Sequence, residues 1–533
     1  MIRISELALP LDYPPDALRK AVLKRLQIPD ADLLDVQLFK RSHDARKKFA
    51  IRFICIVDVV VRDEAAVLQR FPRDAQVKPA PDTSYHPVAR APALLPDRPL
   101  VVGFGPGGLF AALLLAQMGF KPIVLERGRD VRRRTQDTWA LWRKNVLTPE
   151  SNVQFGEGGA GLFSDGKLYS QIKDPKFYGR KVMHEFVRAG APEDILFVSK
   201  PHIGTFRLTG VVERMRAEIV SLGGEVRFES KVTDLLLEDG QIEGLVLESG
   251  ETLRSRHVVL ALGHSSRDTL RMLERRRVHL DAKPFALGFR IEHPQSLIDA
   301  ARFGKFAGHP ELGAADYKLV HHARNGRAVY SFCMCPGGTV VAATSEIGRV
   351  VTNGMSQYSR NERNANAGIV VGIEPLQDYP GGPLAGVALQ EALESRAFEL
   401  GGGDYCAPGQ LVGDFLRGVP SNQLGAVTPS YTPGVRLGDL APSLPPYAIE
   451  AIREALPVFG RQLAGFDRDD AVLTGIESRT SSPVRITRHE DSLQSLNVRG
   501  LYPCGEGAGY AGGILSAGVD GIKVAEAVAR NLA

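Results

Sequence analysis

Cysteine is scarce: the 533 residues hold five, Cys55, Cys333, Cys335, Cys406 and Cys504. An odd and scattered set does not build the framework of a disulfide-stapled secreted domain, so reduced thiols are expected. Cys333 and Cys335 stand one residue apart, which is neither the Cys-x-x-Cys redox spacing nor a zinc-knuckle pair, and no metal site is expected. Long apolar runs are also missing. The longest near residue 110, Leu109 to Met118, is about half the ~20 residues that a membrane helix needs. Met1 to Glu6 lacks the basic region and apolar stretch of a secretory signal. A cytoplasmic location without a membrane partner is expected.

Charge of one sign is not in large excess. The chain carries +5, and residues 1–95 hold 16 Lys+Arg against 12 Asp+Glu, which leaves +4 in that segment. The basic cluster Lys40 to Lys48 reads as a solvated hairpin tip between two strands, so nucleic-acid binding is not expected. No internal repeat or low-complexity tract is present. A hydrophobic content of 44% over this length supports substantial cores and more than one domain.

The organisation follows from punctuation and periodicity. Strand Arg3 to Leu9, helix Pro15 to Leu26, strands Leu33 to Arg41 and Ala50 to Val61, and helix Asp63 to Arg70 predict a small α+β (ferredoxin-like) domain over 1–95. A linker follows with Pro79, Pro81, Pro87, Pro92 and Pro96, in which no regular element is expected. From Arg98 a βαβ unit begins. Val226 to Ser230, Leu235 to Leu237, Gln241 to Glu248 and Val258 to Leu262 read as a β-meander returning to the main sheet. Residues 280–495 read as an inserted α+β substrate domain, with the main α/β domain in two pieces, 96–279 and 496–533.

Gly103-Phe104-Gly105-Pro106-Gly107-Gly108 fits G-x-G-x-x-G after a strand and at the start of a helix. Gly103 permits the tight turn, Gly105 lets a pyrophosphate approach the backbone, and Gly108 lets helix and strand pack closely. Phosphates are then held by unpaired N–H groups at the positive end of the helix. The second strand ends at Glu126, whose carboxylate suits ribose hydroxyls and repels a 2′-phosphate. The fingerprint alone does not separate FAD from NAD. Gly161 to Lys167 matches the start of an ATP-binding loop, but Leu168 replaces the required Ser or Thr.

Two further stretches decide the cofactor. Val259 to Asp268 looks like the strand-to-loop segment beneath the cofactor in two-domain flavoproteins, with His264 expected to be a loop residue without chemistry. Gly500 to Ile514 resembles the late flavoprotein motif in which an acid after a strand binds the FAD ribityl–pyrophosphate region. With Gly156 to Lys167, Ser331 to Gly338, Asn353 to Ser356 and Glu477 to Arg485, these segments make the chain resemble the bacterial FAD-dependent dehydrogenases of unassigned substrate, related to geranylgeranyl-reductase-like flavoproteins. The resemblance implies a Rossmann-like FAD-binding domain (GR2-type) with an inserted substrate domain. It implies FAD contacts at Gly103, Gly105, Pro106, Gly107, Gly108, Glu126, Arg127, Gly159, Ser164, Lys167, Val232, Ala261, Gly263, Arg267, Gly505, Glu506, Gly512, Gly513 and Ile514.

The expected activity is that of an FAD-dependent oxidoreductase, a dehydrogenase or reductase that moves hydride between flavin N5 and a small organic substrate. Catalytic candidates are Lys167, Arg479 and Cys335, and Arg479 and Arg485 offer guanidinium forks to a substrate carboxylate or phosphate. Cys333 and Cys335 are expected on one strand face as a buried pair of small residues. NAD(P)H is left open as a transient electron donor, although no second fingerprint follows a strand and no dedicated NAD(P) domain is expected. The alternative is a flavin-bound redox sensor or scaffold acting through the N-terminal domain.

Overall fold

The computed structural model describes residues 1–95 and 97–533. Pro96 of the expected linker lies outside the described residues. The N-terminal segment forms an antiparallel sheet in the order Leu33–Asp44, Arg52–Val61, Ile2–Pro10, Val77–Pro79. Ile2 and Ile4 point into its core. A register shift follows, with Glu6 in left-handed backbone at φ 59°, and the odd-numbered Leu7 and Leu9 then enter the same core. Helix Ala17–Leu26 packs Val22 and Leu26 against them.

The strand Val77–Pro79 corrects the expectation that the linker holds no regular element. It lies at the sheet edge, where the missing N–H of Pro79 costs no ladder bond. The opposite edge is tied to the rest of the chain: the Arg41 N–H donates to the Phe197 carbonyl at 2.6 Å, and Ser199 N–H to the Arg41 carbonyl at 2.9 Å.

A five-stranded parallel sheet has the order Leu501–Pro503, Val258–Leu260, Leu100–Val102, Ile123–Leu125, Glu225–Arg227. Chain order runs outward from Leu100–Val102 in one direction and then reverses at Val258–Leu260. That reversal opens the crevice in which doubly wound sheets bind their ligands, beyond the carboxyl ends of the strands. Glu225–Arg227 therefore belongs to this sheet and not to the meander. The meander is the separate antiparallel sheet Val232–Glu238, Gln241–Leu247, Thr252–Arg254.

Helix Pro106–Gln117 is buried along nearly its whole length, because helix Ile514–Leu532 covers the side that the sheet does not. The two backbones approach closely. A Cβ on Gly521 would lie 2.3 Å from the Gly107 carbonyl oxygen, so only glycine fits at the crossing.

An eight-stranded sheet includes Ala328–Ala342, Asn364–Ile373, Phe285–Pro294 and Val472–Glu477 side by side. Every residue of Phe285–His293 is buried, so this strand is covered on both faces. Helix Pro446–Gln462 packs on one of them. The other looks toward the crevice of the parallel sheet.

Candidate functional site

A cavity of about 380 Å³ lies between the carboxyl ends of the parallel strands and the eight-stranded sheet. The fingerprint forms its floor. Gly103 turns at φ 95°, and a Cβ there would stand 2.3 Å from the Ala261 carbonyl oxygen. Gly105 is the N-cap of helix Pro106–Gln117, whose first-turn N–H groups have no partners within the helix. Gly108 is required for packing and does not line the cavity: its Cβ would be 1.9 Å from the Gly103 carbonyl oxygen.

A second helix begins at the same cavity. Gly512 and Gly513 precede Ile514, Gly513 has φ 94°, and no atom lies within 4 Å of a Cβ built on either. Two positive helix ends thus converge on one space, an arrangement made for an anion. Gly159 at φ 61° brings the loop to within 2.7 Å, measured from its would-be Cβ to the Gly105 Cα. Pro106, Gly107, Val232, Ala261, Gly263 and Gly505 complete that part of the lining.

Glu126 is buried beneath the loop. One carboxylate oxygen accepts from Phe104 N–H at 2.9 Å, the other from Gly128 N–H at 2.8 Å and Gly156 N–H at 3.0 Å. It therefore fixes the fingerprint turn and the glycine-rich loop, and still lines the cavity. Arg127 lies over the Phe155 ring and pairs with Glu150 at 2.7 Å and Asp268 at 2.9 Å.

Sequence reasoning missed the residue that holds the loop. Arg134 is fully buried and donates to the carbonyls of Asn152, Val153, Gly156 and Glu157. Its signal was periodic: Val131, Arg134, Thr138 and Leu141 form the buried stripe of helix Val131–Lys144, and an arginine on that stripe must satisfy backbone. Asp520 was also missed. It accepts from Gly505 N–H at 2.7 Å and pairs with Arg488 at 2.6 Å, which fixes the turn that presents Glu506.

His264 stands in a loop and lines the cavity. Its Nδ1 is 3.1 Å from Glu506, while its Nε2 is buried with no hydrogen-bond partner among the described residues. Open glycine backbone and two helix N-termini are the donor set that a dinucleotide pyrophosphate satisfies. FAD fits this set of residues.

The remaining candidates divide. Ser164 spends its hydroxyl on the loop, donating to the Gly161 carbonyl at 2.7 Å and accepting from Gly166 N–H at 3.0 Å. Lys167 bonds the Met334 carbonyl and stands 4.0 Å from Asp165. Burial opposes its charge, but Cys335, Cys333 and Asp165 around it raise its pKa.

Arg479 lines the cavity but offers a ligand nothing. Its five N–H donors are taken by Glu394 (3.1 and 3.0 Å), Ser265 (3.0 Å), Ser345 (2.8 Å) and Glu346 (3.3 Å). Arg267, expected at the cofactor, does not line the cavity and completes the same network through Glu394, Glu346 and Gln390. The two arginines hold the Glu394 carboxyl far below its usual range despite its burial. Arg485 is exposed and does not line the cavity.

The expectation that Cys333 and Cys335 share a strand face also fails. Strand Ala328–Ala342 shifts register between Phe332 and Cys335 and again before Gly338, with Cys333 at φ 43°. Cys333 consequently lines the cavity and Cys335 does not. On the same wall stand Phe332, Thr352 and Glu477. Burial pushes the Glu477 carboxyl up to about 7, against the pull of Arg290 at 3.4 Å. Its second oxygen is buried without a hydrogen-bond partner among the described residues.

The fold and this site define an FAD-binding protein with a Rossmann-like parallel sheet. A family model described as FAD-dependent protein, C-terminal domain-like, matches residues 284–480. A model described as a domain of unknown function matches residues 1–60. The chain is 49% identical over 527 residues, 98% of each chain, to an uncharacterised protein of Clostridium beijerinckii, and it belongs to the family of that protein. Among solved structures it resembles glycine oxidase from Geobacillus kaustophilus (12% identity, 81% of this chain and 94% of that one, TM-score 0.35). It also resembles L-proline dehydrogenase from P. horikoshii (12%, 82% and 95%, TM-score 0.33).

Proposed function

We propose that this flavoprotein transfers hydride between flavin N5 and a small organic substrate held against the wall formed by Phe332, Thr352 and Glu477. The observation that supports it is Glu477: a buried carboxyl facing the cavity, with one oxygen unpartnered among the described residues and its pKa pushed up to about 7. FAD, when bound, supplies the two-electron redox chemistry. The chain's own part is to hold the dinucleotide at the two helix N-termini, exclude water, and move the proton that accompanies the hydride.

A group titrating near neutral pH is ionised often enough to accept a proton and protonated often enough to donate one. Glu477 lines the cavity and fills that role, and Arg290 holds one of its carboxyl oxygens in place. In this reading residues 280–495 cover the cofactor-binding parts, 96–279 and 496–533, and Arg479, Arg267 and Glu394 lock the cover in position. The first sheet is hydrogen-bonded to the rest of the chain through Arg41, which favours a fixed support over a detachable sensor.

The test is anaerobic mixing of the yellow holoprotein with NADH, NADPH and a panel of alcohols, amines and hydroxy acids. Bleaching by an organic donor supports the proposal. Bleaching by NAD(P)H identifies a transient nicotinamide donor. A holoprotein that neither accepts electrons from any donor nor passes them from chemically reduced flavin to an unsaturated acceptor refutes it.

A further inference from the structure

We propose that Cys333 and Cys335 form a redox-active dithiol, cycling between two thiols and a Cys333–Cys335 disulfide by exchange with a low-molecular-weight disulfide that enters the cavity. The first support is the backbone. In a regular strand residues i and i+2 lie about 6.6 Å apart along the chain, near the upper limit of about 6.8 Å for Cα atoms joined by a disulfide. The two register shifts that flank Cys335, and the left-handed kink at Cys333, break that extended path. Cys335 Sγ consequently turns back to within 3.3 Å of the Cys333 carbonyl oxygen, which makes the two thiols neighbours.

The second support is charge. Arg290 is completely buried and places its guanidinium 3.0 Å from the Cys333 carbonyl and 3.7 Å from Cys335 Sγ. It reaches there because Gly354 has no side chain: a Cβ at that position would stand 1.9 Å from the guanidinium. Its carboxylate partner, Glu477, is 3.4 Å away and half protonated near neutrality. Lys167 adds a second cation on the other side, since Asp165 is engaged in a two-point pair with Arg360. Positive charge is in surplus around the sulfurs, and a thiolate balances it.

The hydrogen bond from Cys335 is the largest influence on Cys333 and lowers its pKa against the effect of burial, with Lys167 and Arg290 acting in the same direction. The same hydrogen bond, followed by burial, raises that of Cys335. The roles divide accordingly. Cys333, at the cavity wall, is the attacking thiolate, and Cys335, behind it, is the resolving thiol.

The steps balance. The Cys333 thiolate attacks one sulfur of the incoming disulfide, and the first thiolate leaves. Cys335 then gives its proton to the thiolate released in the first step and attacks the mixed-disulfide sulfur on Cys333, releasing the second thiolate. Two protein thiols are oxidised and one external disulfide is reduced. The reverse sequence, with an external dithiol, restores the pair.

Cleavage after Arg327 and Arg349 yields a peptide, residues 328–349, whose only cysteines are Cys333 and Cys335. Holoprotein equilibrated in glutathione buffers of stepped redox ratio is acid-quenched, alkylated with N-ethylmaleimide, digested with trypsin and weighed. Under reducing conditions the peptide should carry two maleimides. Under oxidising conditions it should carry none and be two hydrogens lighter, with the transition following a two-electron curve. In Cys335→Ser the intermediate should be trapped as a glutathione adduct on Cys333. A wild-type peptide that stays doubly alkylated across the whole series overturns the proposal, as does one that stops at a glutathione adduct. The readout is mass, so the dithiol stands or falls independently of hydride transfer.

Discussion

Gly105→Ala separates cofactor binding from folding. The added methyl meets nothing nearer than the Gly159 Cα at 3.5 Å, an ordinary contact, and the backbone at φ −75° and ψ −176° suits alanine. The cofactor-free fold should therefore lose at most about 1 kcal/mol, the difference between a fair and a poor N-cap residue. FAD binding should lose far more, because the methyl stands at the helix N-terminus where the pyrophosphate approaches the backbone. Overpacking costs about 1–3 kcal/mol, and each charge-assisted hydrogen bond forfeited costs about 1.5–3 kcal/mol. A combined loss of about 3–5 kcal/mol raises the Kd for FAD about 10²- to 10⁴-fold. The neighbouring glycines behave differently. Gly103→Ala, at 2.3 Å from a carbonyl oxygen, and Gly108→Ala, at 1.9 Å from another, should damage the fold with or without cofactor. The assay is titration of stripped protein with FAD, followed by flavin fluorescence, beside thermal unfolding of the same stripped samples. Wild-type FAD affinity in Gly105→Ala, or a fall in stripped-protein Tm as large as that of Gly103→Ala, would refute the reasoning.

Glu477→Gln should lower kcat by about 10²- to 10⁴-fold and abolish the limb of the pH–rate profile centred near 7; an unchanged profile removes Glu477 from the proton path. The same carboxyl sets a sign for stability. Its folded pKa is raised, so the stability it contributes is complete below the unfolded value and is lost as pH rises to about 7, a swing of about 3 kcal/mol. Urea unfolding should show wild type losing that much relative to Glu477→Gln between about pH 4.5 and pH 7. Arg134→Met should leave four loop carbonyls without their donor at about 1–3 kcal/mol for each one not rescued by water, and hydrogen exchange should quicken across residues 150–166. Arg479→Gln should lower the Tm while leaving KM for an anionic substrate unchanged, since no donor of Arg479 is free for a ligand; a rise in KM alone would return it to the substrate site.

The parallel sheet and its fingerprint were legible because each glycine has a local duty that spacing reveals. The glycine-rich loop and the helix after Gly513 were legible for the same reason. What escaped was long-range. Glu225–Arg227 joins the parallel sheet by pairing with Ile123–Leu125 about a hundred residues earlier, which three residues of sequence do not announce. Val77–Pro79 became a strand because Ile2–Arg3–Ile4 left an edge to pair with. Arg479 read as a ligand-binding residue because arginine suits anions, and Arg267 as a cofactor contact through the family resemblance. The anion they meet is Glu394, more than eighty residues from Arg479 and on another element. Cys333 and Cys335 obeyed strand alternation in the sequence, and two register shifts undid it. Glu477 was visible only as part of a motif, because its raised pKa comes from burial and not from its neighbours in sequence.

The central claim is that the cavity at the fingerprint holds FAD by its dinucleotide. Titration of the stripped protein with FAD and with FMN tests it most directly. One FAD should bind per chain, and FMN, which lacks the adenosine monophosphate half, should bind at least about 100-fold more weakly, an about 3 kcal/mol difference. Equal affinity for FMN, or no uptake of either flavin, would contradict the account.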